Sequence, residues 1–101
     1  MDDDFRTKCM NVQAKVILHR TRLYTQAINY WQDFIDDNRD NVVWATTRNS
    51  NPVVSLKNGE EHHFVPDVIF DRWCRGRTYW YEGVLYHSDY PVKGTDDGTR
   101  T

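Results

Sequence analysis

Apolar residues change spacing along this chain, and each change marks an element. From about Met10 to Asp37 they recur at helical intervals. Leu23, Ala27, Tyr30 or Trp31, and Phe34 form a stripe that Ile28 and Ile35 widen, and that Val16 and Ile17 extend backward. The pattern predicts a long amphipathic N-terminal helix, or two helices if Thr21 caps a second one beginning at Arg22. The polar run Asp36 to Asn41, DDNRDN, ends it.

Strand patterns follow. Val42 to Thr47, VVWATT, is continuously apolar at its start and β-rich, which predicts a fairly central strand. After the turn RNSNP, two strand-like runs, Val53 to Leu56 and Glu61 to Val65, flank Asn58-Gly59. Asn-Gly is the strongest short hairpin signal, because both central residues of a two-residue loop need positive φ. On that register Lys57 faces Glu60, Ser55 faces His62 and Val53 faces Phe64. Pro66-Asp67 then opens a short helix with Ile69, Phe70, Trp73 and Cys74 on one face and Gly76 as its C-terminal stop. A second hairpin pairs Thr78 to Tyr81 with Val84 to His87 through Glu82-Gly83, setting Trp80 against Leu85 and Tyr79 against Tyr86. The expected fold is α+β: one long N-terminal helix packed on a small, mostly antiparallel sheet of a strand and two hairpins, with the short helix between the hairpins. Residues 1–92 form a single domain whose first nine residues are loose, and 93–101 form a disordered polar tail.

Composition narrows the function. At 101 residues the chain is long enough for one modest core. A formal net charge of −2 disfavours general electrostatic wrapping of nucleic acid, so any such role requires a local basic patch. Cys9 and Cys74 build no disulfide framework and no CxxC pair, which fits a reducing, cytoplasmic setting and leaves a single bridge open. The opening MDDDF has the wrong charge for a signal peptide, and no apolar run approaches the length of a membrane helix.

Chemical character concentrates between Pro66 and His87. Arg72, Arg75 and Arg77 lie within six positions around Gly76, followed by Tyr79, Trp80, Tyr81 and, across the turn, Tyr86. Guanidiniums bind phosphate or carboxylate bidentately, and exposed rings stack on bases. The same residue types are enriched in protein-interface hot spots. Against both stands the plainer account, in which Arg72 and Arg75 pair with Asp71, Asp67 or the acidic end of the long helix, and the rings are core. His62 and His63 are adjacent in a strand and point to opposite faces, so they do not share a metal, and no HxxxH, HExxH or CxxC spacing is present. Cys74 on the apolar helix face reads as an inert thiol. His87 with Asp89 is too common a pairing to specify a catalyst. No cofactor, metal or catalytic residue is expected, and the balance is against an enzyme.

The stretch FDRWCRGRTYWYEGVLYHSDYPV, Phe70 to Val92, with SLKNGEEHHFVP before it, resembles small accessory proteins of tailed bacteriophages. The resemblance rests on the RWCRGRTY segment and the compact aromatic-rich style, and covers the last half of the chain. It implies a viral protein that inhibits or modulates a host protein in the host cytoplasm. Phage proteins of this size are commonly oligomeric, so the resemblance also allows a homodimer. The leading expectation is therefore a non-enzymatic binding protein that occupies a host protein's surface through Arg72, Arg75, Arg77, Tyr79 and Tyr81, anchored by Trp80 or Tyr86. The alternative is a nucleotide- or nucleic-acid-binding module that sets the same arginines on phosphates and the tyrosines on bases. Ionic strength separates them, since phosphate contacts weaken steeply with salt.

Overall fold

The computed structural model describes residues 14–92, so the expectations for the loose N-terminus, for Cys9 and for the tail 93–101 lie outside the described residues. The described chain runs β1 (Lys15–Thr21), α1 (Tyr24–Asp37), β2 (Val42–Thr46), β3 (Val53–Leu56), β4 (Glu60–Pro66), α2 (Asp67–Cys74), β5 (Thr78–Tyr81), β6 (Val84–His87) and β7 (Tyr90–Pro91). Short 3-10 turns at Arg39–Asn41 and Arg48–Ser50 bracket β2. All seven strands join one sheet in the order β2-β3-β4-β1-β5-β6-β7. The first strand is parallel to both of its neighbours, β4 and β5, and the other pairings are antiparallel.

This overturns the long N-terminal helix and the small antiparallel sheet. Lys15–Thr21, read as the start of the helix, is the central strand of a mixed sheet. The segment KVILHRT is rich in β-branched residues, its edges are taken by β4 and β5, and a helix packs on each face, so apolar side chains occur on both faces and no period-2 alternation shows. Leu18 is 3% exposed on one face and Thr21 6% on the other. Its Val16 and Ile17 happened to continue the apolar spacing of the following helix. That helix starts at Tyr24, where the side chain of Gln26 accepts hydrogen bonds from the N–H groups of Arg22 and Leu23. Thr21 is no cap; its hydroxyl donates to the carbonyl of Leu23.

The two helices cover opposite faces. Alternation along β4 shows this directly, because Phe64 packs with Ala27, Val54 and Leu56 under α1, whereas Val65 packs with Leu18, Ile69, Phe70, Trp73, Cys74 and Tyr79 under α2. Two cores thus share the sheet as their common wall. Helix α2 and its buried face, Ile69, Phe70, Trp73 and Cys74, match the sequence expectation. So does the second hairpin, with Trp80 opposite Leu85 and Tyr79 opposite Tyr86. Glu82 and Gly83 have φ of 50° and 81°, the pair of positive values that a two-residue loop requires.

Two strand expectations fail for local reasons. In the first hairpin, Val53 pairs with His63, Val54 with His62 and Ser55 with Glu61, one residue off the expected register. Only Gly59 takes a positive φ, 93°, so Lys57, Asn58 and Gly59 make a three-residue loop, and the Asn58 side chain accepts from the N–H of Glu60 instead. The slip exchanges the faces of every side chain on one strand relative to the other. The β2 segment is also not central: it is the outer strand beside β3, with Val43 58% and Trp44 45% exposed.

Candidate functional site

The arginine cluster is divided by the turn that follows α2. Arg72 and Arg77 line one groove of about 530 Å³, together with Ile69, Trp73 and the loop Asn49, Ser50 and Asn51. Arg75 occupies the C-terminal cap of α2 and is exposed, outside that groove. Gly76 turns the chain with φ of 67°. The facing loop is conformationally unusual, since Asn49 and Ser50 both have φ of 58°. Left-handed backbone costs little at Asn and more at Ser, and such residues gather at functional turns.

Arg77 is half built into the fold. Its Nε donates to the carbonyl of Trp73 at 2.8 Å, and its guanidinium lies 4.5 Å from the centre of the Trp73 ring. Burial pulls the Arg77 pKa below its ordinary value, and the Glu61 carboxylate partly restores it. Asp67, one of the carboxylates weighed as a partner for these arginines, is bound to Arg20 at 2.8 Å. Among the described residues, none of Arg72, Arg75 and Arg77 has a carboxylate within ion-pair distance.

The aromatic part of the expected contact patch is placed differently. Tyr79 is 2% exposed, stacks on Tyr86 with ring centres 5.6 Å apart, and donates its hydroxyl to the carbonyl of Ser88. Burial lifts its pKa to about 12. Tyr81 and Tyr86 are half-buried against the same core. Trp80 faces the other side of the sheet, where the Lys15 ammonium sits 4.9 Å from its ring. The arginine groove therefore holds Trp73 and none of the four expected aromatic contacts. The buried thiol of Cys74 is pushed up by desolvation, then by Asp89 and Asp71, in keeping with an inert cysteine.

A second constellation escaped the sequence reading. On the α1 side, Nε2 of His62 lies 2.9 Å from a carboxylate oxygen of Glu60, and Nδ1 of His62 lies 2.8 Å from Nε2 of His19. On the α2 side the pattern recurs one residue later: Nε2 of His63 is 3.1 Å from Glu61, and its Nδ1 accepts from the indole N–H of Trp73 at 3.1 Å. The sequence EEHH is thus two carboxylate–imidazole pairs at i, i+2, one on each face. The Glu60 pKa is lowered, first by its hydrogen bond from His62 and then by that from Asn58, so an ionised carboxylate fixes the proton of His62 on Nε2. His19 is stacked on Phe64 at 4.6 Å, and burial, then the charges of His62 and His63, hold its pKa at about 4. Beside Glu60 and His62, three asparagines, Asn38, Asn41 and Asn58, rim a hollow of about 340 Å³. The signal for these pairs was the EEHH repeat itself. It could not be completed because His19 had been assigned to a helix.

No group of three or more His, Cys, Asp or Glu side chains suited to a metal occurs among the described residues. No helix among them is long and apolar enough to cross a membrane. No protein family, curated protein or solved structure matches the chain.

Proposed function

We propose that this chain is a non-enzymatic binding protein that docks on an acidic protein surface through the groove of Arg72 and Arg77, with exposed Arg75 contributing from outside the groove. The observation that carries this reading is that Arg72 and Arg77 share one groove with an Asn-Ser-Asn loop, without a carboxylate partner among the described residues. Forked guanidinium donors and amide side chains suit the planar oxygens of Asp and Glu on a partner. The resemblance to bacteriophage accessory proteins makes that partner a host protein. The nucleic-acid alternative shares the guanidiniums but needs exposed rings for the bases, and Tyr79 is core while Tyr81 and Tyr86 lean on it.

The test is a titration of the isotope-labelled chain with an acidic peptide and, separately, with a short single-stranded DNA. Amide signals of Asn49 to Asn51 and the side-chain signal of Arg72 are expected to move with the peptide, and Arg72→Glu/Arg75→Glu to weaken that binding with the fold intact. Tighter, steeply salt-dependent binding of the DNA would place the nucleic-acid reading first. If neither ligand moves the groove, it is not the contact surface.

A further inference from the structure

A third hollow, of about 450 Å³, lies at the carboxyl ends of the parallel strands β1 and β5, and nothing above gives it a role. The two strands pair only at Ile17 and Trp80, after which β1 runs on to Thr21 while β5 turns away at Glu82-Gly83. This opening between strand ends is where ligands settle in open sheets with parallel strands. His19, Arg20, Tyr30, Tyr81 and Glu82, with Ile17 and Leu18 of β1, line it.

The histidine chain determines what this hollow presents. Ionised Glu60 keeps a proton on Nε2 of His62; where Nδ1 of His62 is the acceptor of the second bond, Nε2 of His19 is its donor. The lone pair of neutral His19 is then on Nδ1, and no partner for that atom occurs among the described residues. No buried side-chain nitrogen or oxygen there lacks a partner, so Nδ1 keeps accessible surface, and His19 is one of the residues lining the hollow. The pocket is unsuited to anions, because Arg20 is engaged by Asp67 at 2.8 Å and Glu82 contributes a carboxylate. Tyr30, 52% exposed, and Tyr81 bring aromatic rings to its lining.

We propose that this pocket binds a small uncharged heteroaromatic molecule of nucleobase size, whose ring N–H donates to Nδ1 of His19 while its faces lie against Tyr30 and Tyr81. The Glu60–His62 pair acts as the positioning element that fixes the acceptor tautomer. The volume falls in the range of small-molecule pockets. The site is separate from the arginine groove, so either reading stands or falls alone.

The experiment is histidine ring nitrogen NMR on the full chain, with uracil and adenine as probes and 1,3-dimethyluracil, which keeps the ring and lacks both N–H donors, as the control. Before any addition, His19 is expected to carry its proton on Nε2. Uracil or adenine should then shift Nδ1 of His19, and uracil should bind at least ~10-fold more tightly than its dimethyl analogue, the value of one well-made hydrogen bond. Tyr30→Ala, an exposed position that leaves the histidine chain in place, should weaken binding several-fold, and Arg72→Glu should leave it unchanged. The proposal is overturned if the His19 proton is on Nδ1, if neither base perturbs His19, or if dimethyluracil binds as well as uracil.

Discussion

Arg77 and Trp73 hold each other twice, through a guanidinium 4.5 Å from the indole centre and through the Nε donor to the Trp73 carbonyl at 2.8 Å. One arginine of the candidate site is therefore also a structural residue. A cation–π contact and a side chain–backbone hydrogen bond each contribute on the order of 1 kcal/mol. Arg77→Ala is expected to lower stability by about 2 kcal/mol, and Arg72→Ala by less than about 0.5 kcal/mol, being exposed. Urea unfolding of the two variants measures this difference. Equal midpoints would show that the Trp73 contacts contribute nothing, and binding assays should use Arg72 and Arg75 variants for this reason.

The same indole donates to Nδ1 of buried His63, whose other nitrogen meets Glu61. Trp73→Phe retains much of the ring but leaves the imidazole without its donor. A buried acceptor that loses its partner costs about 1–3 kcal/mol, to which the smaller ring adds a packing loss. The expected decrease is therefore roughly 3 kcal/mol, read from the same unfolding curves. A loss below about 1 kcal/mol would mean that water replaces the indole N–H and that the His63 pair is not a closed unit.

Acid should destabilise the fold over a defined window. His19 is held at about 4, against an ordinary value of 6.5. Below 6.5 the unfolded chain takes up a proton that the folded chain refuses until about 4, so stability falls as pH is lowered through that interval and is flat above it. His63, also lowered, chiefly by burial, contributes with the same sign, and Glu60, lowered by its bond from His62, extends the loss below 4.5. Allowing for the partial exposure of His19, its share is on the order of 2 kcal/mol. Urea midpoints at several pH values between 7 and 4 should show this slope, and His19→Gln should flatten it. A slope unchanged in that variant would assign the acid sensitivity to other groups.

The parts of this fold that the sequence revealed are those whose signals are local. Helix α2 was legible because Pro66, the stripe Ile69, Phe70, Trp73 and Cys74, and Gly76 lie within a dozen residues. The turn at Glu82-Gly83 was legible because a two-residue loop fixes its own register. What was missed depends on distant partners. Nothing within KVILHRT says that β4 and β5 will cover both its edges, and a strand with apolar side chains on both faces imitates a segment of helix. That error carried His19 away from His62, which lies 43 positions later, and so concealed the histidine chain. In the first hairpin Asn-Gly was identified correctly as a turn, but the extra loop residue changed which side chains face each other. At the candidate arginine groove, Arg72 and Arg77 stand out in the sequence, and the Asn49 to Asn51 loop opposite them does not, because it reaches the groove only through the pairing of β2, β3 and β4.

Strand β2 carries the last prediction. Its sequence, VVWAT, is that of a covered strand, yet it forms an open edge of the sheet with no charged residue between Val42 and Thr46. A bulge between Val42 and Trp44 interrupts the ladder with β3 there, and Val43 and Trp44 are both substantially exposed. Natural edges are usually guarded by charge, and an unguarded apolar edge pairs readily with other chains. Trp44→Lys should therefore raise the concentration or temperature at which light scattering appears. Because the ring is 45% exposed, it should alter unfolding stability by less than about 1 kcal/mol. A loss of several kcal/mol would instead make Trp44 part of the α1-side core, and unchanged scattering would mean that the bulge alone protects the edge.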